Sequence, residues 1–404
     1  MSVDVPQSPE SLVNRFLQLV RSGQEALAIT EAFGNGQADV NRLTDQVFYA
    51  RHPELGGRKV RPNERALAQE WLQIRDALVK PTIAQLKAAR PPHSPTPATA
   101  TAAKPAVQGS NAPAVLGLDT FGLDGNKNRD WARARTEGPI SFAIFRATWG
   151  VSTDTAFPIE WPRIKDAGLV RGAFLFQRFP HPAVDKKYGA CPDPVAQATA
   201  LTRSLPLSML DQSDLPPTLD VEFPDGRSKT GMTAQQCLEQ VRAAWKVLKN
   251  YYKVAPMIYT SERVWREELS NLEAPDLTES PLWLKHYPFN KGPARRDAAV
   301  TRIPPPVPLP WGDSNWWIHQ YQGDAIGLPG FAPGNVDMNR FGTMTKGAAG
   351  AKVKWLQRRL GIAQSGTFDG ATETALTAFQ GKSGLEEIAT VDLRTFAYLC
   401  WSKA

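Results

Sequence analysis

Two carboxylates stand two residues apart at the end of an apolar run, in Leu219-Asp220-Val221-Glu222. Residues 217–222 are typical of a buried strand, and side chains two apart on a strand leave the same face. Two carboxyl groups crowded in a buried place do not both ionise easily, so one of them tends to keep its proton. Glycoside hydrolysis uses such a pair, whereas the common alternative is a solvated Asp-x-Glu at a strand end.

Two further carboxylates close the first and last β-rich runs of the same region, Asp119 and Asp337. First and last strands are neighbours in a closed barrel, and active-site groups collect at the C-terminal ends of barrel strands. The sequence therefore predicts that Asp119 and Asp337 converge with Asp220 and Glu222 over one end of a barrel.

Aromatic side chains stand at matching positions near the ends of the other runs. They are Phe174, Phe176, Tyr259, Trp283, Tyr287 and Tyr321. Sugar rings present flat C–H faces that pack on aromatic rings, so a rim of this kind suits a saccharide. The alternative is ordinary packing of the barrel and its helices, which we expect for some of the set.

Eight β-rich runs must position these residues. They are 115–120, 141–148, 170–177, 217–222, 255–260, 282–287, 316–321 and 335–338. Helical patterns separate the earlier runs, so we predict an eight-stranded α/β barrel of the TIM type over residues 114–342. Residues 288–315 are Pro-rich, and a short glycine-rich gap precedes the last run. We therefore expect the strands to be complete and the late helices to be missing.

The barrel is flanked by two helical regions. Residues 91–113 are rich in Pro, Ala and Thr, which predicts a linker, and they separate residues 1–90 as a helical domain of unknown role. Apolar residues at helical spacing in that domain include Leu67, Trp71, Ile74 and Leu78, and further helices are predicted near residues 12–20 and 43–53. Residues 347–404 show three short helices with apolar positions at Leu356, Leu360, Phe368, Leu376, Phe379, Leu393 and Phe396.

Composition excludes several classes of protein. The 404 residues are 42% hydrophobic, and no apolar run is long enough to predict a membrane span. The net charge of +7 is spread along the chain, so we do not predict a nucleic-acid partner. Cys191, Cys237 and Cys400 are far apart and predict ordinary thiols. We expect no metal and no cofactor.

Nine short motifs follow one another in a recognisable order. They are Gly117-Leu-Asp-Thr, Asp130-Trp, Phe142-Ala-Ile-Phe-Arg-Ala-Thr, Ala167-Gly-Leu-Val-Arg-Gly-Ala-Phe, Leu215-Pro-Pro-Thr-Leu-Asp-Val-Glu, Pro256-Met-Ile-Tyr-Thr, Leu282-Trp-Leu, Gln320-Tyr and Val336-Asp-Met-Asn. In this order the region resembles glycoside hydrolase family 25, the lysozymes of phages and bacteria. The resemblance implies an eight-stranded barrel with fewer helices and cleavage of the β-1,4 bond after N-acetylmuramic acid.

The resemblance also implies roles for single residues. Glu222 corresponds to the general acid, and Asp220 to its partner, either nucleophile or stabiliser of a substrate-assisted step. Asp119 and Asp337 correspond to supporting carboxylates, and Gln320 to a substrate-binding residue. The chain departs from the family pattern at three positions, Trp149, Leu175 and His319. These departures motivate a second hypothesis, a non-catalytic wall-binding or structural protein of a phage tail or secretion apparatus.

The C-terminal region, residues 347–404, resembles the three-helix peptidoglycan-binding domain that often accompanies wall hydrolases. Both resemblances imply bacterial peptidoglycan as the partner and action at the cell wall, in the periplasm or outside the cell. The first residues lack a basic cluster followed by an apolar core and do not predict a secretory signal. We therefore expect release by lysis, by a holin or by a non-classical injection system, with residues 1–90 as the candidate element for delivery.

Overall fold

The computed structural model describes residues 44, 47–48, 51–52, 65–82, 114–122, 129–312 and 315–402. The chain divides into two compact units, Met1–Ala102 and Ala103–Ala404. In the first unit, helix α1 spans Arg65–Gln73 and continues as a π-helix over Ile74–Val79, which confirms the helix predicted there. The predicted helix near residues 12–20, most of the one at 43–53 and the linker at 91–113 lie outside the described residues. Within the described ranges, no helix has the length and apolar character needed to cross a bilayer.

Eight strands of the described residues close into a barrel in the second unit, and two short strands extend it. The ten strands are β1 Val115–Thr120, β2 Ile140–Trp149, β3 Ser152–Thr153, β4 Val170–Phe176, β5 Thr218–Asp220, β6 Met257–Thr260, β7 Leu282–Lys285, β8 Gly292–Pro293, β9 Ile318–Leu328 and β10 Phe331–Phe341. The barrel order is β1-β2-β4-β5-β6-β7-β9-β10, and β10 pairs with β1 to close it. Strand β3 pairs with β2, and β8 pairs with β9. The predicted barrel and all eight predicted strands are confirmed.

The last two barrel strands differ from the prediction in length and direction. Strands β9 and β10 form a long hairpin, and β10 runs antiparallel to both β9 and β1. Only Pro329 and Gly330 lie between them, and Gly330 has a φ of +84°. A parallel pair needs a crossover of a dozen residues or more, so a connection this short permits only an antiparallel return.

Helices cover the first half of the barrel and give way to short turns in the second half. They are α2 Trp131–Thr136, α3 Phe157–Asp166, α4 Pro182–Tyr188, α5 Pro194–Ser204 and α6 Ala234–Tyr252. From β6 onwards, the described barrel residues hold a π-helical turn at Val264–Glu268 and 3-10 turns at Pro275–Leu277, Ala298–Thr301 and Leu309–Trp311. Earlier 3-10 turns span Leu207–Met209 and Arg227–Thr230. The missing late helices are confirmed for the described residues. Between β7 and β9 the prolines of residues 288–312 account for the missing helix, because proline lacks the N–H that a helix interior needs.

Successive side chains of each strand point to opposite faces of the barrel wall, which produces two apolar layers. One layer fills the barrel and includes Phe142, Phe174 and Trp283, whereas the other lies between the barrel and its helices. Gly117 shows how tightly the inner layer packs, because a Cβ there would lie 2.4 Å from the Phe142 ring. Glycine in β1 therefore makes room for a large ring just below Asp119.

Residues 347–402 contain three helices, as predicted. They are α7 Ala351–Arg359, α8 Gly370–Lys382 and α9 Leu393–Trp401. The same local design occurs twice, since an aspartate side chain caps each of α8 and α9 and a buried glutamine from the preceding helix donates to a threonine in that first turn. The pairs are Gln357 with Thr372 at 2.9 Å and Gln380 with Thr395 at 3.0 Å.

These helices pack against the end of the barrel where the parallel strands begin. The ring of Trp317, just before β9, stacks on Phe396 of α9 with centroids 4.4 Å apart, and Trp355 of α7 lies 4.9 Å from Trp317. The indole N–H of Trp401 donates to the carbonyl oxygen of Asp214 at 2.7 Å. The C-terminal helices thus form the floor of the barrel, and the carboxylates lie at the other end.

Candidate active site

The four predicted carboxylates lie on three barrel strands and the chain just beyond one of them. Asp119 in β1 is paired across the sheet with Asp337 in β10, so the antiparallel return brings these two side by side. Asp220 ends β5, and Glu222 follows two residues later. Asp220 and Asp337 both feel the charge of Glu222, and Asp119 feels the charges of Asp337 and Glu222. The structure therefore brings the four carboxyl groups together.

The amide of Gln320 in β9 connects two of these carboxylates to two tyrosines. The hydroxyl groups of Tyr259 and Tyr287 each donate to Gln320 Oε1 at 2.6 Å. Gln320 Nε2 donates to Asp119 Oδ1 at 2.7 Å and to Asp337 Oδ2 at 3.2 Å. Both ends of the amide are occupied, so Gln320 holds Asp119 and Asp337 in fixed positions.

A second amide supports Asp119 from below. The indole N–H of Trp283 donates to Asn339 Oδ1 at 2.7 Å, and Asn339 Nδ2 donates to Asp119 Oδ1 at 2.7 Å. Burial raises the pKa of Asp119 well above its ordinary value, and the charge of Asp337 raises it further, although the hydrogen bonds from Asn339 and Gln320 lower it. Burial and the charge of Asp337 therefore favour the protonated form of Asp119, whereas the two donated hydrogen bonds favour its carboxylate.

Asp220 and Glu222 occupy different environments. Asp220 is only 4% exposed, and among the described residues no group hydrogen-bonds its Oδ1 atom. Burial first, and then the charge of Glu222, raise the pKa of Asp220 well above its ordinary value. The side chain of Glu222 is 18% exposed, and its Oε2 atom accepts a hydrogen bond of 2.6 Å from Lys285 Nζ.

The remaining carboxyl group shows the same tendency in milder form. Burial raises the pKa of Asp337 to about 6, although its Oδ1 atom accepts a 2.7 Å hydrogen bond from the backbone N–H of Asp324. Raised pKa values in one cluster, caused by burial and like charge, are typical of acid and base catalysis. The arrangement therefore suits proton donation to a leaving group.

The predicted aromatic residues separate into an accessible set and a supporting set. Tyr287 is 42% exposed and Phe176 is half-buried, so both can touch a ligand. Phe174, Tyr259 and Trp283 are 7%, 5% and 1% exposed. These three rings fill the barrel beneath the carboxylates, and Tyr259 and Trp283 act on the site through their hydrogen bonds.

Tyr321 is a correction to the predicted set. Its side chain is fully buried in the outer apolar layer, and its hydroxyl donates to the carbonyl oxygen of Arg295 at 2.6 Å. Because side chains alternate along a strand, Tyr321 leaves the face of β9 opposite to Gln320. It therefore does not line the site with the carboxylates.

Three polar residues of this end of the barrel were missed by the sequence reasoning. Asn339 lies within the quoted motif that begins at Val336, and Arg146 within the one that begins at Phe142. Arg146 is ion-paired with Asp154 at 2.9 Å. Lys285 gave the clearest signal, because it is the only charged residue in the buried strand Leu282–Lys285 and stands two residues after Trp283.

Comparison with known families identifies the barrel. The family described as glycosyl hydrolases family 25 matches residues 123–327, about half of the chain, including Asp220, Glu222 and Lys285. The chain belongs to this family. Membership in glycosyl hydrolases family 25 makes it a glycoside hydrolase, and the resemblance read from the motifs is confirmed.

Solved structures similar to this chain carry related descriptions. A bacterial lysozyme from Streptomyces coelicolor is 23% identical, with 57% of this chain and 93% of that chain covered and a TM-score of 0.44. A muramidase from Acremonium alcalophilum is 23% identical, with 56% and 93% covered and a TM-score of 0.41. A family 25 glycosyl hydrolase from Bacillus anthracis is 18% identical, with 57% and 94% covered and a TM-score of 0.42. The search of curated proteins finds no match.

The three departures from the family 25 pattern lie in different places. Leu175 and His319 are fully buried, and both neighbour strand residues that face inward, so they lie on the outer side of the barrel wall. Trp149 is half-buried at the end of β2, where its ring packs edge-on against Tyr188 at 5.1 Å. Only Trp149 is therefore placed to alter the rim of the site.

Proposed function

We propose that this chain is a peptidoglycan hydrolase that cleaves the β-1,4 bond between N-acetylmuramic acid and N-acetylglucosamine. Family membership supports a peptidoglycan substrate, and with it action at the cell wall, in the periplasm or outside the cell. In this proposal Glu222 is the general acid and Asp220 is its partner carboxylate. Asp119, Asp337 and Gln320 maintain the charge and shape of the cleft.

The observation that carries the role assignment is the difference in access between Glu222 and Asp220. A general acid must reach the oxygen of the scissile bond, and the partly exposed Glu222 meets that condition. Asp220 lies deeper and is almost fully buried. A buried partner suits the stabilisation of positive charge on the sugar ring, because a desolvated carboxylate interacts strongly with such a charge.

The structure weakens the motivation for a non-catalytic alternative. That alternative was based on Trp149, Leu175 and His319, and two of these face away from the carboxylates. The four carboxyl groups themselves are all present. Hydrogen bonds from Gln320 and Asn339 orient Asp119 and Asp337, and Lys285 donates to Glu222. This cluster of oriented carboxyl groups supports catalysis over wall binding alone.

The experiment that tests this proposal compares Glu222→Gln with Glu268→Gln. Glu268 is a matched control because its side chain is 13% exposed, it is also ion-paired, and it lies outside the carboxylate cluster. Purified peptidoglycan is digested with each variant, and the released muropeptides are separated and counted. We expect Glu222→Gln to lose at least about a thousandfold in rate with an unchanged circular dichroism spectrum, and Glu268→Gln to remain active. Full activity of folded Glu222→Gln excludes Glu222 as the acid.

The flanking regions have separate proposed roles. We propose that the helices within residues 347–404 bind peptidoglycan and that residues 1–90 serve delivery by an injection or secretion apparatus. Deleting residues 1–90 is then expected to preserve hydrolysis of purified walls while abolishing delivery from the producing cell. Loss of hydrolysis in a folded deletion variant would argue against a role confined to delivery.

A further inference from the structure

A lysine lies within the carboxylate cluster. Lys285 ends β7, and its Nζ atom donates to Glu222 Oε2 at 2.6 Å. The side chains of Lys285 and Glu222 are 35% and 18% exposed, so solvent screens this pair less than it screens an ion pair on the open surface. Burial lowers the pKa of Lys285, but the charge and hydrogen bond of Glu222, together with the charges of Asp220 and Asp337, raise it overall. Lys285 is therefore a stable cation against Glu222.

Other charged and titratable groups surround this pair on every neighbouring strand. They are Arg146 from β2, Asp220 from β5, Tyr259 from β6, Tyr287 just after β7, Asp119 from β1 and Asp337 from β10. Arg146 is already paired with Asp154, whereas Lys285 makes a direct bond to a proposed catalytic carboxylate. The direct bond gives Lys285 the larger influence on Glu222.

The two members of the proposed catalytic pair therefore have opposite surroundings. Glu222 faces a cation and accepts a charge-assisted hydrogen bond from it. Asp220 is buried, and its Oδ1 atom lacks a hydrogen-bond partner among the described residues, which favours its protonated form. Two adjacent carboxyl groups that differ in this way share one proton unequally.

We infer that Lys285 is a positioning residue that keeps Glu222 ionised in the free enzyme, so that the shared proton rests on Asp220 until substrate separates Lys285 from Glu222. This inference rests on the proposed roles of Glu222 and Asp220. Lys285 thereby prevents Glu222 from carrying the catalytic proton when no substrate is bound in the cleft.

The proton inventory of the reaction is balanced. When Lys285 leaves, the proton moves from Asp220 to Glu222, which produces a neutral acid and a carboxylate. Glu222 then donates this proton to the glycosidic oxygen as the bond from that oxygen to the sugar C1 breaks, and the bonding electrons stay with the oxygen. The Asp220 carboxylate faces the positive charge at C1. Water then forms the new C1–O bond, and its proton returns to the pair.

The test replaces Lys285 with Met and with Arg and measures kcat/KM on peptidoglycan across the pH range. Loss of the cation favours the form in which the Asp220–Glu222 pair keeps its shared proton. Lys285→Met should therefore shift the alkaline limb of the kcat/KM profile to higher pH by about one pH unit. Lys285→Arg keeps the positive charge, so the alkaline limb should stay at the pH of the wild type. Lys249→Met is the matched control, since Lys249 is 39% exposed and ion-paired with Glu279 outside the site. Lys285→Gln replaces the Met variant if the latter does not fold.

A uniform fall in kcat/KM with unmoved limbs would overturn the inference, because that result assigns Lys285 to substrate binding or folding alone. A readout independent of activity is the titration of Lys285 by NMR of ε-¹³C-labelled lysine. Glu222→Gln should lower the pKa of Lys285, and an unchanged pKa would also overturn the inference. If the wild type releases no muropeptides while this titration moves as expected, the proposed function fails and the ion pair stands.

Discussion

Each end of the barrel holds a lysine, half-buried at the cleft and buried at the floor, and the two lysines have opposite surroundings. Lys285 at the cleft donates to the Glu222 carboxylate, and its pKa is raised. Lys352 at the floor donates to the carbonyl oxygen of Gly342 at 2.8 Å, and its Nζ atom lies 4.2 Å from the Trp317 ring centroid. Burial first, and then the charge of Arg340, lower the pKa of Lys352 to about 7.

The difference shows what each end of the barrel does. Burial opposes the ammonium charge at both ends, but among the described residues only the cleft supplies carboxylates that compensate for it. At the cleft, groups that are costly to bury are collected together, as active sites require. At the floor, stacked rings such as Trp317 and Phe396 provide stability, and a lone lysine among them weakens it. Changes at the cleft should therefore alter rate, and changes at the floor should alter folding.

The largest expected effect is at the cleft, in Asp220→Asn. Asparagine has nearly the same shape but provides neither a proton nor a negative charge, so kcat should fall by about 10² to 10⁴-fold. The free energy of unfolding should stay constant or rise, because a buried carboxyl group with a raised pKa is removed. Turnover on peptidoglycan and thermal unfolding at pH 7 measure the two effects. A stable variant with full activity would contradict the expectation that changes at the cleft alter the rate.

The next effect is at the floor, in Phe396→Ala. Phe396 is fully buried and packs on Trp317, Phe341 and Trp355, so its removal should lower the free energy of unfolding by about 3–5 kcal/mol. The kcat of the folded fraction should not change, because the carboxylates lie at the other end of the barrel. Denaturant unfolding and turnover below the transition measure this. Lost activity in a stably folded variant would show that the two ends are coupled.

A smaller effect is expected from pH at Lys352. Its pKa is about 7 when folded and near 10.5 when unfolded, so the unfolded chain binds more protons between these values. The contribution of Lys352 to stability should therefore increase as pH rises from 7 to 10.5. At pH 7 and below, Lys352→Met should stabilise the protein by about 1–3 kcal/mol, since contact with the indole rings offsets part of the penalty. Melting temperatures of both proteins from pH 6 to 10 are the measurement, and parallel curves would contradict the expectation.

The smallest effect is expected at the cleft, at Asp337. Its pKa is about 6 when folded and 3.8 when unfolded, so the folded chain binds more protons between these values. Its contribution to stability should therefore decrease as pH rises from 3.8 to 6, the opposite slope to that of Lys352. Asp337→Asn should flatten this part of the curve by about 1–2 kcal/mol. An unchanged slope in the variant would mean that another group causes it.

Most of the cleft could be predicted from the sequence because its positions follow from strand periodicity. Asp119, Asp220 and Glu222 end apolar runs, and the C-terminal ends of parallel strands meet at one edge. Asp337 lies at the same end of the barrel for a different reason, because β10 returns antiparallel to β9 in a hairpin. The glycine-rich gap before β10 did not allow this hairpin turn to be predicted. Tyr321 was misplaced because its neighbour Gln320, not Tyr321, faces inward.

Other features of the structure depend on contacts between distant residues. The bond from Lys285 to Glu222 joins strands whose order is set only by barrel closure. The contact of Phe396 with Trp317 joins the C-terminal helices to the barrel, whereas the apolar pattern of the sequence predicts these only as two separate regions. Periodicity predicts which face a side chain takes, but it does not predict which remote side chain it meets.

The identity of the new reducing end in the cleaved peptidoglycan is the most direct test of the proposed muramidase activity. Digests by the wild type are reduced with borohydride and analysed by mass spectrometry, with folded Glu222→Gln as the blank. Cleavage of the proposed bond predicts fragments that end in reduced N-acetylmuramic acid and that are missing from the blank. Fragments that end in reduced N-acetylglucosamine, or equal product from both proteins, would contradict it.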